Sequence, residues 1–225
     1  MDLTENVWND HLKLTDEETI QEILAGNLHV FEILIRRYNP FLYKIGKSYH
    51  FSQQDVEDLM QDCYLNIYKN LAKFEERSTF KTWIAKIMLH LCYQKKQNFK
   101  RLKNTISEEK TYLKAKRNQS FSQDGALVHK ELGIIIETAI QGIPINLRNV
   151  FVLREINGLN TQETANLLQI TESNVKVRLS RAKQMLRQKI GENYLPEELV
   201  DFHDACCSLP VEMIMQKTVR GANNE

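Results

Sequence analysis

Asn160 to Lys189 reads NTQETANLLQITESNVKVRLSRAKQMLRQK, and its spacing predicts two short helices joined by a tight turn. Asn160 and Glu163 form a capping box: the Asn side chain accepts from an orphan amide of the first turn while the Glu reaches back. A helix therefore starts near Thr161. Ala165, Leu167 and Leu168 give it an apolar side, and Ile170 is placed to pack in the turn. Thr171 caps a second helix, along which Val175, Leu179, Ala182, Leu186 and Ile190 recur at helical spacing as one buried face. The opposite face is basic: Lys176, Arg178, Arg181, Lys183, Arg187 and Lys189, with no acid between Glu172 and Glu192. Such a pair suits a helix-turn-helix whose second helix enters a DNA major groove by its N-terminal part while flanking cations neutralise phosphates. Ser173, Asn174, Lys176 and Val177 then lie nearest the groove floor, and Arg178, Arg181 and Lys183 suit the backbone. The bland alternative is a surface hairpin with solvated cations; the paired caps and one-sided charge favour DNA.

The chain has 225 residues, enough for one or two domains with real cores. Its formal net charge is only +1, which conceals acidic segments at Asp55 to Asp62 and Glu192 to Asp204 between basic ones. With 8 Gly and 4 Pro, the composition points to helices. No apolar run reaches about eighteen residues, so no membrane insertion is expected. The acidic opening MDLTENVWNDHLKLTDEE lacks the apolar core of a signal peptide, which points to the cytoplasm. Of the 4 cysteines, Cys63 and Cys92 fall on apolar helical positions, where reduced buried thiols are expected.

Taken in order, Thr15 followed by Asp16, Glu17 and Glu18 opens a short helix that Gly26 ends. A longer helix carries Val30, Phe31, Leu34, Ile35, Tyr38, Phe41, Leu42, Ile45 and Tyr49 on its apolar face, with Pro40 as a kink or break. Ser52 caps the next, whose buried stripe is Val56, Leu59, Met60, Cys63, Ile67 and Leu71. Asp55, Asp58, Gln61 and Asp62 share its other side, with Leu59 at the edge; this is either a solvated face or a dock for a basic partner. Arg77 to Ser107 contains no acid and interleaves Arg77, Lys81, Lys86, Lys95 and Lys96 with Phe80, Trp83, His90, Tyr93 and Phe99. Cations track a phosphate backbone and aromatic faces accept unstacked bases, although Phe80, Trp83, Ile84, Ile87 and Leu91 also have core spacing. Residues 104–126 are polar and aperiodic, as in a linker. Beyond them Leu127 to Ile140 reads as a helix, and Pro144 opens another that ends before Gly158.

Two of these stretches resemble a known family. DLMQDCYLNIYKNLAKFEERSTFKTWIAKI, Asp58 to Ile87, is similar to the core-binding and promoter-melting part of bacterial RNA polymerase sigma factors of the sigma-70 family. IPINLRNVFVLREINGLNTQETANLLQITESNVKVRLSRAKQML, Ile143 to Leu186, resembles their C-terminal DNA-binding domain. The two occur in the family's order, and the small size with no intervening domain resembles the extracytoplasmic-function subgroup. The resemblance implies an all-α fold of two small helical domains: an N-terminal one over 1–103, a linker at 104–126, the helix-turn-helix domain at 127–191 and an extension at 192–225. It implies that Asp55, Asp58, Leu59, Gln61 and Asp62 contact core RNA polymerase. Arg77, Ser78, Thr79, Phe80, Lys81, Trp83 and Lys86 would meet the minus-ten element of promoter DNA and help open its strands. Glu172, Ser173, Asn174, Lys176, Val177, Arg178, Ser180 and Arg181 would read the minus-thirty-five element. His90 and Gln94 stand where small sigma factors often carry Asn and Asp, and of the housekeeping tryptophan pair only Trp83 is present, which implies narrower promoter choice. An anti-sigma factor is a further partner that the resemblance allows.

No catalytic constellation or phosphate-binding glycine loop is visible, so no enzyme activity and no cofactor are expected. His203, Cys206 and Cys207 are too few and too closely spaced for a zinc site, so no metal is expected either. A stand-alone helix-turn-helix regulator is the competing reading, against which the acidic helix argues.

Overall fold

A computed structural model describes residues 13–106, 137–191 and 215, and among these every regular element is helical. The N-terminal half comprises α1 (Asp16–Leu24), α2 (Phe31–Lys47), α3 (Gln53–Asn70) and α4 (Phe80–Ile106). One 3-10 turn, Leu28–Val30, leads into α2 and another, Leu71–Lys73, follows α3. The C-terminal half comprises helical residues 137–141, α5 (Ile145–Phe151), a π-helical turn at Val152–Ile156, α6 (Thr161–Leu168) and α7 (Glu172–Gly191). Helix α4 runs three residues into the stretch expected to be linker; the remainder of that stretch, and residues 127–136 of the helix expected next, lie outside the described residues.

Local chemistry sets the ends. Thr15 and Glu18 form a reciprocal capping box on α1, with Thr15 N donating to Glu18 Oε2 at 2.8 Å. The Ser52 hydroxyl accepts from Asp55 N at 3.1 Å at the start of α3. Pro40 does not break α2: the helix continues through it, the ring standing on the exposed side.

α2, α3 and α4 pack around one core in which Leu34, Ile35, Leu42, Ile45, Met60, Ile67, Ile84 and Met88 are each almost wholly buried. Gly46 lets these helices approach closely, because a Cβ there would stand 2.7 Å from Val56 Cγ1 and 3.0 Å from Met88 Cε. Cys63 and Cys92 are free buried thiols in the same core. In the C-terminal half, Ile143, Val152, Ala182 and Leu186 form one apolar cluster and Val150, Ala165 and Val175 another. Leu153 and Leu159, however, are buried in the N-terminal core, against which Leu167, Leu168 and Met215 also pack. The two halves are therefore in contact.

Candidate nucleic-acid interface

The helix-turn-helix forms as its caps require. Asn160 Oδ1 accepts from Glu163 N at 2.8 Å, and Glu163 Oε2 accepts from Asn160 N at 2.7 Å. Gln169 supplies the left-handed residue that turns the chain, at φ 53°. Thr171 Oγ1 accepts from Asn174 N at 3.2 Å at the start of α7. Val175 and Ala182 are fully buried against α5 and α6, which turns the opposite face outward. Glu172, Ser173, Asn174, Lys176, Val177, Ser180 and Arg181 are exposed, Val177 by 49%. Arg178 is half-buried and donates through Nε to Asn174 Oδ1 at 2.9 Å, which holds both side chains on one side of the helix. Lys183 pairs with Glu155 at 2.8 Å, so it is partly neutralised within the domain.

On α3 the acidic residues separate by depth. Asp58 and Asp62, one helical turn apart, are exposed. Leu59 and Gln61 lie beneath them, 4% and 9% exposed, because the inner side of α3 faces α2 and α4. Asp55 is engaged already: Lys95 Nζ stands 2.7 Å from its carboxylate and the Ser52 hydroxyl donates to it at 2.6 Å. Burial alone would raise this carboxyl, but the lysine and the hydroxyl outweigh it and hold its pKa below the ordinary value.

The segment expected at the minus-ten element is also layered. Arg77, Ser78, Thr79 and Lys86 are exposed, and Arg77 pairs with neighbouring Glu75. Glu76 adopts the left-handed conformation at φ 53°, which turns the loop ahead of α4. Thr79 Oγ1 accepts from Thr82 N at 3.2 Å and so caps α4. Phe80 is only 3% exposed; it packs edge-on against Phe74 and Tyr38, each at 5.5 Å between ring centroids, so its ring belongs to the core. Trp83 is half-buried on Phe80 and Phe74. Lys81 lies 5.0 Å from the Phe41 ring centroid and donates to the Asn157 carbonyl at 2.6 Å; its burial lowers its pKa.

Sequence reasoning passed over Arg148, which is 2% exposed. Its guanidinium donates to Ile143 O (Nε, 3.1 Å), Gln141 O (Nη2, 2.7 Å) and, across to the other half, Ser48 O (Nη1, 2.7 Å). Burial lowers its pKa. The available signal was a lone cation inside the apolar run from Ile143 to Leu153. Among the described residues no group of three or more metal-ligating side chains gathers, and no helix is long and apolar enough to cross a membrane. His203, Cys206 and Cys207 lie outside the described residues.

Comparison with known proteins matches both halves in order. Residues 34–101 match the family model for sigma-70 region 2, and residues 134–186 that for sigma-70 region 4. The chain is 31% identical over 175 residues to the ECF RNA polymerase sigma factor SigX of Bacillus subtilis, covering 76% of this chain and 88% of that protein. It is 24% identical over 183 residues to the ECF RNA polymerase sigma-E factor of Escherichia coli K12, covering 79% and 95%. Among solved structures, the sigma factor RpoE of Bartonella quintana, in complex with the anti-sigma factor NepR, superposes with a TM-score of 0.56 at 17% identity, covering 77% of this chain and 99% of that one. CnrH in complex with the cytosolic domain of CnrY gives a TM-score of 0.55 at 19% identity, covering 78% and 97%. The chain belongs to the extracytoplasmic-function subgroup of the sigma-70 family of RNA polymerase sigma factors.

Proposed function

We propose that the chain docks on core RNA polymerase through the exposed side of α3 and reads promoter DNA through the start of α4 and the N-terminal part of α7. As a sigma factor it directs promoter-specific initiation of transcription; its contribution is binding and specificity, with the chemistry left to the polymerase. The observation that carries the reading is the pairing, in one chain, of outward carboxylates at Asp58 and Asp62 with an exposed recognition surface from Glu172 to Arg181. Carboxylates on a rigid helix complement a basic partner, and the α7 surface combines groove-reading side chains with cations for phosphates.

Asp58 and Asp62 make the direct contact, with Asp55 at its edge, while Leu59 and Gln61 set the position of the helix from below. Arg77, Ser78, Thr79 and Lys86 meet the minus-ten strand together with Lys81 and the free edge of Trp83; Phe80 holds that edge in place. Asn174, Lys176 and Val177 face base edges at the minus-thirty-five element, with Ser173 beside them, and Glu172, Arg178, Ser180 and Arg181 complete the surface. The working division is an N-terminal domain over 1–103, a connection at 104–126, a DNA-reading domain over 127–191 and an extension at 192–225. An anti-sigma factor is a further partner, as with the solved RpoE of Bartonella quintana, and the cytoplasm is the place of action.

Run-off transcription with purified core polymerase on a pool of promoter fragments tests this. The intact chain should start transcripts at defined positions, and Asp58→Asn with Asp62→Asn should abolish them by preventing assembly with core. A chain that binds DNA fragments but neither joins core nor starts transcripts would be a stand-alone regulator, and the proposal would fall.

A further inference from the structure

Beside the second half of α4 lies a cleft of about 610 Å³, a size within the range of small-molecule sites, bounded on its other side by α5, α6 and α7. Three aromatic rings line it, Tyr49, Tyr93 and Phe99, together with three cations, Lys96, Lys100 and Arg178. None of the described residues that line it is acidic. Tyr93, Lys96 and Lys100 follow one another at helical spacing along one side of α4. Tyr93 is 57% exposed and Phe99 43%, so much of each ring is open to a visitor.

Charge at this cleft is unbalanced. Among the described residues no carboxylate pairs with Lys96 or Lys100, and Arg178 donates to the neutral Asn174 at 2.9 Å. Burial holds the Lys96 pKa below its ordinary value, and the Arg148 guanidinium adds to the shift. At His50, beside Tyr49 in sequence, burial, Arg148 and Lys96 act in the same direction, in that order. Arg148 itself meets three carbonyls and no carboxylate. Positive groups are thus gathered without a counter-charge, at an electrostatic cost that an anion in the cleft would relieve. The aromatic side is braced in advance. Tyr49 stacks on buried Phe51 at 5.9 Å with 9° between ring planes, and Asn149 Nδ2 donates to its hydroxyl at 3.0 Å. Phe99 leans on the same Phe51 at 6.2 Å.

Open ring faces take planar unsaturated groups, and Lys and Arg take phosphates, so the two sets together select a molecule that carries both. The positive lining repels a metal cation, and an apolar ligand would leave the cations unserved. A nucleic-acid strand needs cations that track along its backbone; here they stand on facing elements, two on α4 and one on α7, as suits one compact polyanion. We infer that the cleft binds a free nucleoside polyphosphate, its base laid against Tyr93 and Phe99 and its phosphates held between Lys96 and Lys100 of α4 and Arg178 of α7. Arg178 also belongs to the proposed minus-thirty-five surface, and on that reading a bound nucleotide withdraws this cation from DNA and weakens promoter recognition. Nucleotide binding itself does not depend on that reading.

Titration calorimetry of the full chain with ATP, adenosine and inorganic tripolyphosphate tests this. ATP should bind with a Kd of ~100 μM or tighter, and adenosine and tripolyphosphate each ~10-fold or more weakly than ATP. Lys96→Ala with Lys100→Ala should weaken ATP ~10-fold or more. Tyr93→Ala should weaken ATP ~5-fold or more while leaving tripolyphosphate unchanged. All three side chains are exposed, so these changes leave the core intact. Lys73→Ala with Lys86→Ala removes the same charge elsewhere and should keep ATP binding within ~2-fold. No heat of ATP binding up to ~1 mM would overturn the inference. So would tripolyphosphate binding as tightly as ATP with Tyr93→Ala silent, which describes a basic patch only. Displacement of ATP by oligothymidylate at equal nucleotide concentration would make the occupant a strand and overturn the free-nucleotide assignment. With ATP at about ten times its Kd, affinity for the chain's own minus-thirty-five duplex should fall ~10-fold. An unchanged duplex affinity would overturn the claim on Arg178. If the chain fails to bind that duplex even without ATP, the proposed reading of α7 falls while the nucleotide site stands on the titrations.

Discussion

Replacing Arg148 by Met tests how much of the C-terminal domain hangs on one buried guanidinium. The side chain is 2% exposed and hydrogen-bonds the carbonyls of Gln141, Ile143 and Ser48. Met fills much of the volume but donates nothing, so the buried carbonyls of Ile143 and Ser48 and the half-buried one of Gln141 lose their donor. Hydrogen bonds from a charged donor are worth ~1.5–3 kcal/mol each, and an orphaned buried acceptor costs ~1–3 kcal/mol. Against this stands relief of the cost of burying the cation, so the net loss should be about 3–5 kcal/mol, the range for breaking a buried charged network by removing one side of it. At ~2–4 °C per kcal/mol for a chain of this size, Tm should fall by roughly 6–20 °C in calorimetry. Arg148→Lys should lose about half as much, because an ammonium at one point cannot serve all three carbonyls. If Arg148→Met melts within ~2 °C of the wild type, water satisfies those carbonyls and the reasoning fails.

Three other outcomes follow from the geometry. Phe80→Ala should destabilise the N-terminal half by ~3–5 kcal/mol in urea denaturation, since its ring is enclosed by Phe74 and Tyr38; a change under ~1 kcal/mol would return the ring to the surface. Asn174→Ala should weaken binding to the chain's own minus-thirty-five duplex by ~1–3 kcal/mol with an unchanged salt slope, whereas Arg181→Ala should flatten that slope, both read by anisotropy titration. His50 has its pKa lowered by burial, with Arg148 and Lys96 adding to the effect. The unfolded chain therefore binds the His50 proton first on acidification, so stability should be full above the unfolded pKa of ~6.5 and fall as pH drops below it. His50→Asn, which tolerates the left-handed backbone at φ 65°, should flatten that part of a Tm-versus-pH profile.

Helix positions and caps were legible because they depend on neighbours in sequence. Thr15, Ser52, Asn160 and Thr171 each cap the helix that their spacing predicts, and Val175, Ala182 and Leu186 form the buried stripe of α7. Depth across a helix was less legible. Asp58 and Asp62 could be placed outward from charge, but Gln61 is polar and nevertheless buried, and Phe80 sits next to residues that are exposed. Contacts between the halves were not legible at all: Ser48 and Asn149 lie 101 positions apart, and nothing in either residue's neighbourhood announces the other. The same holds for Leu153 and Leu159, whose apolar character fits their own domain as well as the partner core.

The missing side chain at Gly46 acts as a spacer for the whole N-terminal half. One added carbon there meets the branched Val56 side chain on α3 and the flexible end of Met88 on α4, so Met88 would swing aside while α3 is pressed outward from α2. In the function proposed above, α3 carries the polymerase-facing carboxylates and α4 the strand-facing residues, which on that reading makes the angle between those helices the gauge that sets docking against melting. On that reading, a single methyl group buried between the helices would shift the dock of α3 against the start of α4 without touching either surface.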